Sequence, residues 1–423
     1  MEEYKKDSNW IWSPFWDAQD KECPRIMLFR KSVELKENPC WGKIKISADT
    51  RYKLYVNGSL AETGPSRGDP QVWFYDTVDL LPFLKKGMNQ ISVSVLRYPE
   101  DPQKGNHGMF RTPVPGLYAV GEIADMEGEK YDISADASWK CRIDRSVHFY
   151  REEERFAPLV IHEHAAGNPE VFGWKNIAYD DSRWERAKPY MKKLAPQAVS
   201  PGNLKPRNIP YMYRKSARFK SVMDLKQSIC GREEWEAFLQ GTKKLTIPPR
   251  TEEIVEIDAG EEMTGYLWLS LTGGAGTEAT LLYAEAYVQD ECAGPEQIPL
   301  KGDRMDKEQG HLQGYEDRYL AAGLGTEEQP EIYEPYWFRT FRFVRLSIRT
   351  AQESVTLERL DYEETGYPLE ISTSVRTSDR SLEPVWEISK RTLKRCMHET
   401  YVDCPFYEQL QYQIQARILD TGC

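Results

Sequence analysis

Residues 43–59 read KIKISADTRYKLYVNGS, and the spacing of apolar side chains in this stretch decides the fold class. Ile44 and Ile46, then Leu54 and Val56, recur at every second position between polar neighbours, as a strand with one buried face requires. Asn57-Gly58 follows and supplies the two positive φ angles of a tight hairpin turn. The alternation returns in NQISVSVLRY (89–98), which carries Ile91, Val93 and Val95 after Gly87, and in GLYAVGEI (116–123) after Pro115. Short strands with turn residues between them and almost no helical period predict an antiparallel sandwich. Residues 124–200 are less regular. DISADASWKCRI and AYDDSRWERAKPY each place a Trp shortly after acidic turn residues, and the stretch is assigned to the same domain, 1–200.

SPGNLKPRNIPYMY (200–213) has the Pro, Gly and Asn density of a linker. Beyond it, REEWEAFLQ (232–240) predicts a short helix. TEEIVEIDAG (251–260), GYLWLSLTG (265–273), TEATLLYAEAYV (277–288) and YWFRTFRFVRLSIR (336–349), continued by SVTLERLDYEE, predict strands of a second sandwich at 205–368. In the second of these, Leu267, Leu269 and Leu271 oppose Tyr266, Trp268 and Ser270.

After residue 378 the period changes to 3.6. SDRSLEPVWEISKRTLKRCMHETY sets Leu382, Val385, Trp386, Leu393, Cys396 and Met397 on one helix face, with Ser381 as N-cap and Pro384 in the first turn. The helix is expected to end before Pro405, and a second to start near Glu408. Two helices form no core of their own, so the third region, 370–423, is expected to be incomplete. The apolar face is expected to lack a partner and to promote self-association through this C-terminal helix. The fold class is therefore mainly β: two antiparallel sandwiches followed by the first helices of a further domain.

The 423 residues carry 67 acidic and 56 basic side chains, a formal net charge of −11, with a mean hydropathy of −0.66. Nucleic acid and anionic membranes need a basic footprint, which this balance argues against. No run approaches 18 apolar residues, and MEEYKKDSNW has no apolar signal core, so a soluble, cytoplasmic protein is expected. The eight cysteines are scattered without a C-x-x-C pair, and the 6 His form no H-E-x-x-H. Neither a disulfide framework nor a metal site is expected, and no cofactor.

LTGGAGTE (271–278) is glycine-rich, but it joins two strands. No helix N-terminus points at an anion, and the reading is a hairpin turn; GLGTEEQP (323–330) falls on the same ground. His311 and His398 lack partners in a nucleophile context and read as surface or structural residues. Trp10, Trp12, Trp16, Trp73, Phe74 and Tyr75 could stack on sugar rings, although packing between sheets is the simpler expectation. In ETYVDCPFYEQLQYQ (399–413), Asp403 and Glu408 flank a Cys-Pro turn directly after the amphipathic helix. Paired carboxyl groups are what glycosidases use, one acid for the leaving oxygen and one base or nucleophile opposite. A cap and a surface glutamate would produce the same spacing.

The helix followed by Y-x-D-C-P-x-x-E-Q-L-Q-Y resembles the opening of the catalytic domain of bacterial α-L-rhamnosidases, glycoside hydrolase family 78. RYKLYVNGSLAETGP, YDTVDLLPFLKKGMNQISVSV and DDSRWERA resemble that family's N-terminal, galactose-binding-like sandwich. DAGEEMTGYLWLSLTGGAGTEATLLYAEA and YWFRTFRFVRL resemble its second. The resemblance implies an (α/α)₆ catalytic barrel, of which residues 370–423 would be the start. It implies inverting hydrolysis of terminal α-L-rhamnose from rhamnose-containing glycosides, without a cofactor. It places the general acid at Glu408 and a sugar-hydroxyl contact at Asp403. The general base lies far downstream in such a barrel, and only 15 residues follow Glu408, so the chain alone is expected to be inactive. At the position where the family carries a further aspartate this chain has Gln415, and the similarity fades after Tyr412. A different class of reading is a non-catalytic carbohydrate-binding or structural protein built of the two sandwiches.

Overall fold

The computed structural model describes residues 9–69, 72–99, 109, 111–150, 161–190, 204–290, 292–293, 298–300 and 302–412. Gln415 and the end of the chain lie outside the described residues. The chain divides into two compact units, residues 1–151 with 173–209, and residues 152–172 with 210–423.

The first unit is a sandwich. One sheet runs in the order Lys188–Tyr190, Trp10–Trp12, Gly116–Asp125, Pro39–Asp49, Trp73–Asp79, Leu204–Pro206, with Lys130–Asp132 beside Gly116–Asp125. The other runs Glu185–Arg186, Lys140–Asp144, Arg25–Leu35, Gly87–Arg97, Arg51–Val56, Ser59–Gly64. The stretch 43–59 thus crosses between layers. Ile44 and Ile46 enter the core from one sheet and Leu54 and Val56 from the other, and all four are fully buried beside Phe29, Val93 and Leu117. Asn57 (φ 52°) and Gly58 (φ 86°) turn the chain as their types allow. The Asn57 side chain also holds the turn: its carboxamide oxygen accepts the Gln90 amide at 2.9 Å and its nitrogen donates to the Phe83 carbonyl at 2.9 Å. The linker starts with a strand of its own, Leu204–Pro206, parallel to Trp73–Tyr75 and tied by Arg207 Nε to buried Asp76 at 2.6 Å.

In the second unit most strands join into one hydrogen-bonded sheet, beside the two-stranded pairs Tyr287–Val288 with His311–Leu312 and Cys292–Ala293 with Ile298–Pro299. Its path is His162–Ala166, Tyr315–Leu320, Glu278–Ala284, Arg339–Arg349, Glu252–Gly273, Val355–Gly366, Tyr213–Ala217. Ser221–Gln227 and Glu331–Tyr333 also pair with Glu252–Gly273, and Leu245–Ile247 with Val355–Gly366. The separate strands expected at 251–260 and 265–273 are one strand of 22 residues. A bulge between Asp258 and Met263 bends it, with Gly260 at φ 93° and its amide held by Asp258 Oδ1 at 2.7 Å. Its two halves feed one core, in which Val255, Leu267, Leu269 and Leu271 meet Leu281, Val344 and Leu357. The helix Arg232–Leu239, as expected from its sequence, adds Trp235, Phe238 and Leu239. Gly273, Gly274 and Gly276 have positive φ in the hairpin turn that LTGGAGTE predicts.

Three expectations need correction. The stretch 124–200 is not wholly part of the first domain: His162–Ala166 pairs in parallel with Tyr315–Leu320 and belongs to the second unit. Short length and the polar side chains of HEHAA hide a strand whose partner lies about 150 residues away in sequence, a separation no local period reports. The helix runs Leu382–Arg395, but Ser381 does not cap it. Its backbone is already helical (φ −64°, ψ −17°), and its hydroxyl donates to Asp379 Oδ1 at 2.6 Å instead. Finally, no second helix starts at Glu408 among the described residues. Pro405–Glu408 is a turn, and Gln409 at φ 50° leaves the helical region. No helix of the described residues is long and apolar enough to cross a membrane.

Candidate active site

The segment 396–412 of the second unit carries both carboxylates singled out in the sequence. It is closed on itself by backbone hydrogen bonds from Val402 to Cys396 (2.9 Å), Asp403 to Leu410 (2.8 Å) and Gln409 to Cys404 (3.1 Å). Left-handed Gln409 makes that closure possible, much as a left-handed residue terminates a helix. Asp403 and Glu408 therefore sit on one rigid loop with Cys404-Pro405 between them.

The loop is moored to the strand Arg339–Arg349 and the residues before it. Trp337 Nε1 donates to Gln409 Oε1 at 3.0 Å, and Thr340 Oγ1 to the Pro405 carbonyl at 2.6 Å. The Gln409 amide nitrogen donates to the same carbonyl at 2.8 Å. Phe406 packs on Tyr315 with ring centroids 5.0 Å apart, and buried His398 stacks on Phe338 at 4.1 Å. His398 is thus a structural residue. His311 is half-exposed, with Nδ1 3.1 Å from Asp290 Oδ1.

Beneath the loop lies a set of buried charges that sequence reading missed. Arg339 donates through Nε and Nη2 to both oxygens of Asp317 at 2.8 Å, and through Nη2 to Glu163 at 3.2 Å. Glu163 also accepts the Tyr336 amide at 2.7 Å, and Asp317 accepts the Glu163 amide at 2.9 Å. Burial works against the Arg339 charge, but Asp317 and Glu163 outweigh it and hold its pKa well above the usual arginine value. A cavity of about 30 Å³, lined among others by His162, Tyr283, Asp317, Arg339 and Gln409, separates this set from the loop. That is room for water, not for a sugar. One signal was available in the sequence: Arg339 begins the apolar run FRTFRFVRL, where a charge needs a partner.

The two carboxylates differ in surroundings. Asp403 is half-buried, and its Oδ1 has no hydrogen-bond partner among the described residues. Glu408, also half-buried, accepts the hydroxyl proton of Tyr412, and this bond pushes the phenol up to about 12. The Glu408 amide donates to Cys404 Sγ at 3.4 Å. Burial raises both neighbouring thiols, Cys396 to about 11, so neither is a thiolate at neutral pH. The aromatics weighed for sugar stacking are mainly core: Trp10, Trp12, Trp73 and Tyr75 are buried, and Trp16 packs against the first core.

The mainly-β fold of this chain is similar to that of one group of known proteins. An α-L-rhamnosidase of Streptomyces avermitilis is 26% identical over 182 residues, 43% of this chain and 14% of that protein. The family 78 rhamnosidase of Bacillus sp. GL1 superposes with a TM-score of 0.69 at 17% identity, over 95% of this chain and 59% of that one. This chain resembles the α-L-rhamnosidases. The α-L-rhamnosidase of Dictyoglumus thermophilum shares the fold with a TM-score of 0.59 at 18% identity, over 96% of this chain and 40% of its own. The chain therefore spans between about one seventh and three fifths of the length of these rhamnosidases. No protein-family model matches it.

Proposed function

We propose that this chain is the amino-terminal portion of an α-L-rhamnosidase-type glycoside hydrolase that removes terminal α-L-rhamnose from rhamnose-containing glycosides with inversion. Glu408 is the proton donor to the leaving oxygen, and Asp403 binds sugar hydroxyls. The observation that carries this reading is the moored loop: both carboxylates of the D-C-P-x-x-E motif stand on a turn fixed by Trp337 and Thr340, in a chain of rhamnosidase fold. The free oxygen of Asp403 suits a hydroxyl donor. The water on the opposite face of the sugar needs a base about 6.5–9.5 Å from the acid. Asp403, on the same turn as Glu408, is poorly placed for that task, so the base belongs to a part of the enzyme beyond these residues. Losing half of acid–base catalysis costs about 10²–10⁴ in rate. The reading includes a cytoplasmic location, consistent with free thiols such as Cys141 and Cys230, and self-association through the exposed helix.

The assay is p-nitrophenyl α-L-rhamnoside. The purified 423-residue chain is expected to give no turnover. Residues 1–412 joined to the helical remainder of the Bacillus enzyme are expected to turn over, and Glu408→Gln in that chimera to abolish it. A working chain of 423 residues, or a chimera indifferent to Glu408, would refute the assignment of roles.

A further inference from the structure

Beyond Glu408 the chain turns back over its own loop. Gln409 is left-handed at φ 50°, and the Leu410 carbonyl accepts the Asp403 amide at 2.8 Å. The reversal brings Tyr412 to Glu408, and its hydroxyl donates to Oε2 of that carboxylate. Oε1 has no hydrogen-bond partner among the described residues. Tyr412 is 41% exposed and Glu408 half-buried, so the pair stands at the surface of a loop whose base is fixed by Trp337 and Thr340.

The single bond makes the two oxygens of Glu408 unequal. A protonated carboxyl accepts at its carbonyl oxygen and carries the proton on the other, so a donor at Oε2 directs that proton to Oε1. It also orders a side chain that would otherwise sample several rotamers before each proton transfer. Giving up the proton leaves Glu408 ionised. Hydrogen bonds to an ionised acceptor are roughly twice as strong as neutral ones, so the bond from Tyr412 tightens as the proton departs. Only an interaction that strengthens on the way to the transition state lowers the barrier. Tyr412 stays protonated at neutral pH: the bond to Glu408, then burial, then the charges of Glu408 and Asp403, with Cys404 beside them, push it up to about 12. We propose, building on the reading of Glu408 as proton donor, that Tyr412 is its positioning residue, holding Oε2 so that Oε1 delivers the proton.

Two measurements test this. In the 423-residue chain, ultraviolet difference titration against Tyr412→Phe isolates this one phenol, with circular dichroism showing that the fold persists at each pH. Tyr412 should titrate near about 12, and should move toward the ordinary tyrosine value of about 10 when Glu408→Gln removes the carboxylate. A phenol indifferent to Glu408→Gln would overturn the proposal. In the chimera with the Bacillus helical remainder, Tyr412→Phe should lower kcat about five- to tenfold on phenyl α-L-rhamnoside, whose leaving oxygen needs a proton, with KM nearly unchanged. On dinitrophenyl α-L-rhamnoside, whose leaving group departs as an anion, the loss should be less than about twofold. Equal losses on both substrates would overturn the proposal, since a residue that only shapes the pocket slows both alike. Glu408→Gln separates this inference from the reading beneath it. If that variant slows both substrates equally, Glu408 is not the proton donor. If it slows the phenyl substrate alone while Tyr412→Phe slows neither, the role of Tyr412 falls and that of Glu408 stands.

Discussion

At residue 317 an aspartate is buried beside a buried arginine, and neither could stand there alone. Asp317 and Arg339 are 2% and 11% exposed in their side chains, and the guanidinium grips Asp317 through Nε and Nη2 while the same Nη2 reaches Glu163. Asp317→Ala would leave the largely buried Arg339 with only Glu163 to balance it. Removing one partner of a buried pair costs about 3–5 kcal/mol. The expected result is an unfolding free energy of the second unit lowered by that amount, read as a lower urea midpoint, with Asp290→Ala, on the surface, as a control without effect. The same residues sit under the loop of Asp403 and Glu408, linked to it through Tyr336, Trp337 and Gln409. Fold stability and the position of the proposed acid therefore share one set of hydrogen bonds.

Among the elements, the helix Leu382–Arg395 depends on a carboxylate at its far end. Glu364 accepts from Arg395 Nη1 at 2.6 Å and from the Tyr213 hydroxyl at 2.8 Å. Burial alone would raise its carboxyl, but the bonds from Arg395 and Tyr213 outweigh it and hold it below the ordinary value. A group depressed in the folded state contributes stability that is present above its unfolded pKa, about 4.3 for glutamate. That contribution is lost as pH falls through the folded value. Stability followed by denaturant titration should therefore drop between neutral pH and the range below about pH 4. Glu364→Gln should be less stable than the parent at neutral pH and should lose less on acidification. Parallel pH profiles for the two proteins would show that this pair does not contribute. The bent strand Glu252–Gly273 shows the same interplay of element and neighbour. Its two halves alternate as separate strands would, and Gly260 at φ 93° lets one chain serve both.

At the scale of the molecule, the largest cores of the two units are built by different means among the described residues. The first lies between two sheets, and the second is built on the large sheet that follows one long bent strand, with the helix Arg232–Leu239 packed into it. Each unit buries its own apolar set, so each should melt as its own cooperative transition. Phe29→Ala empties a fully buried position of the first core and Leu281→Ala one of the second. Such truncations cost about 2–5 kcal/mol. Calorimetry is expected to resolve two transitions, with Phe29→Ala shifting only one and Leu281→Ala only the other. A single transition displaced by both substitutions would show that the units unfold together.

What the sequence determined by itself was everything set by local period and turn chemistry. The alternation of Ile44, Ile46, Leu54 and Val56, the Asn57-Gly58 turn, the glycines of LTGGAGTE and the helical spacing of Leu382, Trp386 and Leu393 are each encoded within a few residues, because side-chain direction repeats every 2 or 3.6 positions. The Asp403 and Glu408 loop was legible for the same reason: a proline and the end of a helix dictate a turn there. Tertiary structure alone decided the rest. His162–Ala166 is a strand because Tyr315–Leu320 offers it a free edge, and Glu252–Gly273 is one strand because Arg339–Arg349 pairs with both its halves. Arg339 is a buried ion because Asp317 and Glu163, distant in sequence, converge on it. Gln409 abandons the helix because Trp337 and Pro405 satisfy its amide. Those outcomes depend on which groups lose water together, and that is a property of contacts between segments far apart in the chain, which no local pattern records.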